Sequence, residues 1–339
     1  MRKILGVLLV SFLLLSVAGM AFARGGAEAG GKITFRLSHV FLPDQGLHIA
    51  LTDVAKRINE RTNGQIEIVI YPNEEIQFGV DGAELCIQGA NFINVYDPGC
   101  MGDWVPDYYA LIGPMLYSNP EEYSAMCKTD FAKSLNLKAE KAGLKVLALD
   151  YNFGMRNMVT TRKYGQIKSI NELQGLKMRV PKSNLWIDTF TILGASPIAQ
   201  GWSELYNSVQ TGVVDGYESS ISDTLDNNMH EVATYVTKTA HFVGTGAAMM
   251  SKTVFDKLTP EQQKIFQEEF IRGAEYNNEM SRRDEAEAQR KLEGFGMIFN
   301  EIDLAAWRQR ARAWYDNNKN LTPGIYDTMT AELNKIRGR

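Results

Sequence analysis

The sequence predicts an α/β fold of mixed, mostly parallel sheets flanked by helices, in two lobes bridged by one long helix. Three stretches carry that prediction. Residues 33–71 read as strand, helix, strand; residues 175–219 read as strand, helix, short strand, helix, strand; and Thr259-Pro-Glu-Gln262 opens an amphipathic run reaching about Leu292. A chain of 339 residues, 45% hydrophobic, suits about two domains with a core in each.

Taken in order, the elements justify themselves. Ile33 to Val40 alternates Phe35 and Leu37 with Thr34 and Arg36, as a half-buried strand does, and leaves Ser38 and His39 at its carboxyl end. Leu47 to Arg61 places Leu47, Leu51, Val54, Ala55 and Ile58 on one helical side and closes at Asn63-Gly64. Ile66 to Tyr71 is a second strand ended by Pro72. A helix near Val80 to Gln88, with Asp81 in its first turn, leads to the strand Phe92 to Tyr96 and the turn Asp97-Pro98-Gly99. Asn119-Pro-Glu-Glu122 starts a helix expected to run to about Ala142, and Lys145 to Asp150 completes the first lobe. Gly154 to Thr161 is read as a separate strand crossing to the second lobe, with Ser169-Ile-Asn-Glu172 a capping box for a single turn.

The block that follows organises the rest. Leu176, Met178 and Val180 alternate with Lys177 and Arg179, and Pro181 ends the strand just past Arg179. Ligands in open α/β sheets bind beyond the carboxyl ends of strands, so Arg179 is expected at a mouth, its guanidinium fork suited to a carboxylate. A surface or ion-paired arginine is the alternative. Ser183 and Ser203 read as caps of helices ending at Gly194 and Gly212, and Val213-Val214 as a buried strand delivering Tyr217, Glu218 and Ser219 to the same edge. Strands at Tyr235–Lys238 and Gly246–Met250 come next, then the long helix with Ile265, Phe266, Phe270 and Ile271 inward. Asp303 to Asn317, carrying Trp307 and Trp314, and a polar segment at the end of the chain are read as helical.

The amino terminus sets the address. Arg2 and Lys3 precede an apolar run from Ile4 to Val17, and Ala21-Phe-Ala23 forms a small-x-small cleavage site, so residues 1–23 read as a signal peptide and 24–32 as a flexible leader. No cysteine stands near the cleavage site, which excludes a lipid anchor there. Removing Arg2 and Lys3 leaves 34 basic against 40 acidic residues, a net charge of −6. That balance argues against nucleic acid and anionic membranes as partners and requires local arginines to capture an anion. Cys86, Cys100 and Cys127 lack metal-site spacing; one disulfide, Cys86 with Cys100, or three buried thiols are the open alternatives.

Gly175-Leu-Lys-Met-Arg-Val-Pro181, Leu193-Gly-Ala-Ser-Pro197, Ser203-Glu-Leu-Tyr206 and Val209-Gln-Thr-Gly-Val-Val-Asp-Gly-Tyr-Glu218 resemble the solute-binding proteins of tripartite ATP-independent periplasmic (TRAP) transporters, of the dicarboxylate-binding DctP type. Arg61-Thr-Asn-Gly-Gln-Ile-Glu-Ile-Val-Ile-Tyr-Pro72 and Asn152-Phe-Gly-Met-Arg156 extend the resemblance over nearly the whole mature chain. It implies a type II-like two-lobed binding protein, free in the periplasm and monomeric, that closes on a small carboxylate and hands it to small and large permease subunits, with no cofactor. It implies that Arg179 clamps the carboxylate, that Arg156 is a second anionic contact and that Trp202 packs over the ligand. Ser219 stands where the family often has an amide, a departure that removes a two-sided hydrogen-bonding group. Ser38, His39, Asp81 and Asp97 are first-lobe candidates, with turn formation an equal role for Asp97 and core packing for His39 and Trp202. Glu218 and Asp215 can instead be counterions for Arg156 or Arg179.

An enzyme is the rival class. His39, His48, His230 and His241 form no metal pattern, and there is no Gly-x-Ser-x-Gly elbow, phosphate loop or complete Gly-x-Gly-x-x-Gly. A binding protein for another transporter or a chemoreceptor is the nearer alternative.

Overall fold

The computed structural model describes residues 32–339, so the signal peptide and all of the leader but Lys32 lie outside the described residues. The opening elements match the pattern: β1 (Ile33–Ser38), α1 (Gly46–Arg61), β2 (Ile66–Tyr71), α2 (Gly79–Ile87) and β3 (Phe92–Tyr96). A short helix not read from the sequence, α3 (Asp107–Leu111), follows. The helix expected from 120 to 142 is two, α4 (Pro120–Met126) and α5 (Asp130–Lys141), because Thr129 turns out of helical geometry and its hydroxyl accepts from the Ala132 amide.

The largest difference concerns the strands expected to connect the two lobes. Two strands of 17 residues, β4 (Leu144–Thr160) and β8 (Tyr235–Ser251), replace the four shorter ones expected. They pair antiparallel along their length, with register shifts at four places, including Asn152/Met155 where Gly154 adopts φ +97°. Each bulge breaks the two-residue alternation by which a strand is recognised, so one long ribbon looks like two short ones.

Between them run β5 (Lys177–Val180), α6 (Asn184–Leu193), β6 (Ser196–Ala199), α7 (Leu205–Gln210), β7 (Gly216–Ser219) and α8 (Ile221–Asp226). Gly212 turns at φ +74°, and the expected Val213-Val214 strand starts only at Gly216, leaving Val213 about half exposed. Ser203 does not cap α7; Glu204 occupies that position. The Ser169 hydroxyl makes no capping bond to its 3-10 turn, while Glu172 accepts from the Lys168 amide.

All strands join one nine-stranded sheet in the order β2-β1-β3-β8-β4-β7-β5-β6, with β9 (Ile298–Glu301) beside β8. Parallel pairs (β1 with β2 and β3, β5 with β6 and β7, β8 with β9) outnumber antiparallel ones. After the single turn α9 (Lys252–Phe255), the long helix α10 (Pro260–Gly294) opens with a complete Thr259–Gln262 capping box. Its Ile265, Phe266 and Phe270 join the core under β1 and β3, and its Ala288 and Leu292 join a second core with Val214 and Tyr217. Ile271 faces solvent instead of the core, being 46% exposed. The closing helices α11 (Ala305–Asn317) and α12 (Ile325–Ile336) bury Trp307, Trp314 and Met329. Cys86 and Cys100 are both free thiols, Cys86 bonding the Phe92 carbonyl, so the disulfide considered for them does not form.

Candidate functional site

Both parallel strand sets end at one cleft. The carboxyl ends of β1, β2 and β3 supply Val40, Phe41, Glu74 and Asp97, and those of β5 and β6 supply Arg179 and Gln200. Arg179 is 3% exposed. Its Nε and Nη2 both donate to the Gln200 carbonyl, at 3.1 and 2.7 Å, while Nη1 is buried with no partner among the described residues. The Trp202 ring lies 5.3 Å from its Cζ. Burial lowers its pKa to about 10, against the pull of Glu218, so the guanidinium is charged at neutral pH with one edge open.

Arg156, on β4, is nearly as buried but differently matched. It holds Glu218 of the adjacent β7 through Nε–Oε2 at 2.5 Å and Nη2–Oε1 at 2.6 Å, with Nη2 also donating to the Glu218 carbonyl. Burial opposes the Glu218 charge, but Arg156 and then His241 overcome it and hold the carboxyl down at about 2. His241 Nε2 stands 3.3 Å from Glu218 Oε2, yet burial keeps its pKa below the ordinary value. The charge of Arg156 is therefore cancelled within the protein and that of Arg179 is not.

The remaining wall is aromatic and acidic. Phe41, Phe78, Phe153, Trp186 and Trp202 give the cleft its apolar surface. Asp97 accepts from the Gly99 amide at 2.7 Å, and enclosure of its carboxyl raises its pKa to about 8, so it is mainly neutral at pH 7. Two contacts cross the opening. Glu74 accepts from the Trp202 amide at 3.0 Å and the Ser203 hydroxyl at 2.7 Å, and Gln45 donates to Asp223 and Asp226 at 3.2 Å each. Among the described residues there is no cluster suited to a metal ion and no helix long and apolar enough to cross a membrane.

A profile described as bacterial extracellular solute-binding protein, family 7, matches residues 37–320, most of the chain. The chain belongs to the DctP family of TRAP solute-binding proteins. Among solved structures, this DctP-family chain is similar to a TRAP periplasmic solute-binding protein of Desulfovibrio salexigens in complex with diglycerolphosphate, at 38% identity and TM-score 0.87, covering 91% of this chain and 98% of that one. It is similar to another from Fusobacterium nucleatum with bound sn-glycerol 3-phosphate, at 36% identity and TM-score 0.87, covering 90% and 98%. A C4-dicarboxylate-binding periplasmic protein of Rhodobacter capsulatus is 25% identical over 318 residues, 91% of each chain.

Of the residues read from the sequence, the structure brings Arg179, Arg156, Trp202 and Asp97 to the DctP-family cleft. The others stand outside its lining. Glu218 is fully buried beneath it as the partner of Arg156, the counterion alternative weighed from the sequence. Tyr217 is buried in the core with its hydroxyl on Thr224, and Ser219 donates to Asp223, which does line the cleft. Ser38 and His39 are fully buried, His39 bonding His48 and the Phe41 amide while burial lowers its pKa to about 3. Asp81 is exposed in the first turn of α2. Sequence reasoning missed Glu74, Gln45, Gln200 and Trp186 as residues of the cleft.

Proposed function

We propose that this DctP-family chain is the extracytoplasmic, periplasmic subunit of a TRAP transporter, acting as a monomer that captures a small organic anion and delivers it to small and large membrane permease subunits. One lobe would comprise residues 33–153 with about 242–281, the other 154–241 with about 282–310, and 311–339 would form a helical appendage. The observation that carries this reading is the open edge of Arg179, a buried cation with no carboxylate partner among the described residues, in a cleft between strand ends. Charge-assisted hydrogen bonds from such a fork contribute roughly 1.5–3 kcal/mol each, more effectively once closure removes water.

The C4-dicarboxylate-binding relative favours a carboxylate headgroup, and the two glycerophosphate-bound structures favour a phosphate. Aromatic walls suit a carbon skeleton behind either one. Affinity is expected at the micromolar level or tighter, about −8 kcal/mol or better.

A thermal-shift screen of the purified mature protein against dicarboxylates, sugar acids, keto acids, aromatic acids and glycerol phosphate tests the reading. At 100 times Kd the true ligand stabilises by about 2.7 kcal/mol, which shifts the transition by several degrees. Silence across the whole anion panel would sink it.

A further inference from the structure

We propose that the headgroup this cleft accepts is a phosphate ester, seated between the amino end of α6 and the open edge of Arg179. The proposal rests on the reading of the cleft as an organic-anion site and adds the chemical class and the residues that select it. A carboxylate offers two coplanar acceptors, which one arginine edge can meet. A phosphate monoester offers three oxygens in a tetrahedral array and up to two charges, so it requires donors from further directions.

The cleft holds those donors unused. Arg179 Nη1 is buried and unpartnered. So is Trp186 Nε1, on a side chain 2% exposed that lines the same cleft. The helix α6 has ten residues, and the first amides of a helix lack intrahelical acceptors. At its N-cap Ser183 lines the cleft, yet its hydroxyl makes no capping bond, which leaves that oxygen and those amides for a ligand. Lys182, also in the lining, keeps only a 3.7 Å contact with Glu204 and has a side chain 67% exposed, so a second cation can turn inward from the mouth. Gln200 Oε1 is a buried acceptor without a partner, as the hydroxyl of a polyol tail requires. Arg156 is already matched by Glu218, so the added charge comes from α6 and Lys182.

Calorimetric titration of the mature chain with sn-glycerol 3-phosphate, inorganic phosphate, glycerate and succinate tests this. Glycerol phosphate is expected to bind about tenfold tighter than glycerate, the difference of one charge-assisted hydrogen bond, and tighter than inorganic phosphate, which leaves Gln200 unmet. Ser183→Ala and Lys182→Gln should each lower the glycerol phosphate to glycerate affinity ratio about threefold or more. From pH 5 to 7 the same ratio should rise as the second phosphate proton, with pKa about 6, is lost. Asp223, which lines the cleft and whose pKa burial raises to about 6, gains charge over the same window and repels a dianion more than a monoanion, so the rise is read in Asp223→Asn, where that opposing effect is absent. Glycerate or succinate matching glycerol phosphate, inorganic phosphate binding tightest, or a ratio unmoved by both substitutions would overturn the phosphate-ester inference. Binding of carboxylates alone would remove only this inference, whereas absence of all anion binding would remove the solute-binding reading as well.

Discussion

Arg156 and Arg179 lie on strands that flank β7, are 7% and 3% exposed, and have opposite electrostatic surroundings. Arg156 meets a buried carboxylate through two nitrogens, with an imidazole behind it. Arg179 meets a single carbonyl oxygen. A matched buried pair is part of the fold, and removing one member strands the other; an unmatched buried cation is a standing demand for an anion from outside. Burial alone does not tell a structural arginine from a binding one. The state of the second edge does.

The sharpest break of this comparison is Glu218→Gln. It leaves Arg156 uncompensated and should destabilise the empty protein by about 3–5 kcal/mol in chemical denaturation, more than the double replacement Arg156→Met with Glu218→Leu. Because the Glu218 carboxyl is held at about 2 against an ordinary 4.5, its contribution is present above pH 4.5 and is lost as pH falls toward 2.

Arg179→Ala should do the reverse. Ligand affinity falls at least about tenfold, or 1.4 kcal/mol, while the melting temperature of the empty protein holds or rises, because an unpaired buried charge has gone. If this variant were as destabilised as Glu218→Gln, the two arginines would not differ in kind.

Smaller effects sharpen the picture. Glu74→Gln weakens the acceptor of the Trp202 and Ser203 contacts and should weaken ligand binding by about 1 kcal/mol, with a larger radius of gyration by small-angle scattering. Unchanged scattering and affinity would show that this contact does not hold the cleft shut. Asp97 ionises as pH rises through about 8, placing a negative charge beside the anion, so Kd should rise roughly fivefold, about 1 kcal/mol, between pH 7 and 9. Asp97→Asn should flatten that rise.

Arg179 was legible because its cause is local: an alternating strand, then a proline that cannot continue it. The same holds for β1, α1 and the capping box of α10. Glu74 was not legible. It sits at φ +61° beside Asn73 at φ +49°, and its partners are more than 120 residues away, so no periodicity announces it. The destination of Glu218 was open for a related reason, since only the lateral pairing of β4 with β7 decides which arginine it meets. Trp186 and Gln200 gain meaning from what they fail to bond, and an unmet donor or acceptor exists only in three dimensions. The long ribbons β4 and β8 were hidden by their own bulges.

Those ribbons have a mechanical consequence. If the two halves of the molecule close on a solute as proposed, the two antiparallel bands crossing side by side between them would act as a leaf spring, with the irregular pairing at Asn152/Met155 as its crease. Bending is then concentrated in a few soft torsions near Gly154 rather than spread along a stiff pleat. A guest gripped at its charged end would then supply the work that shuts the jaws.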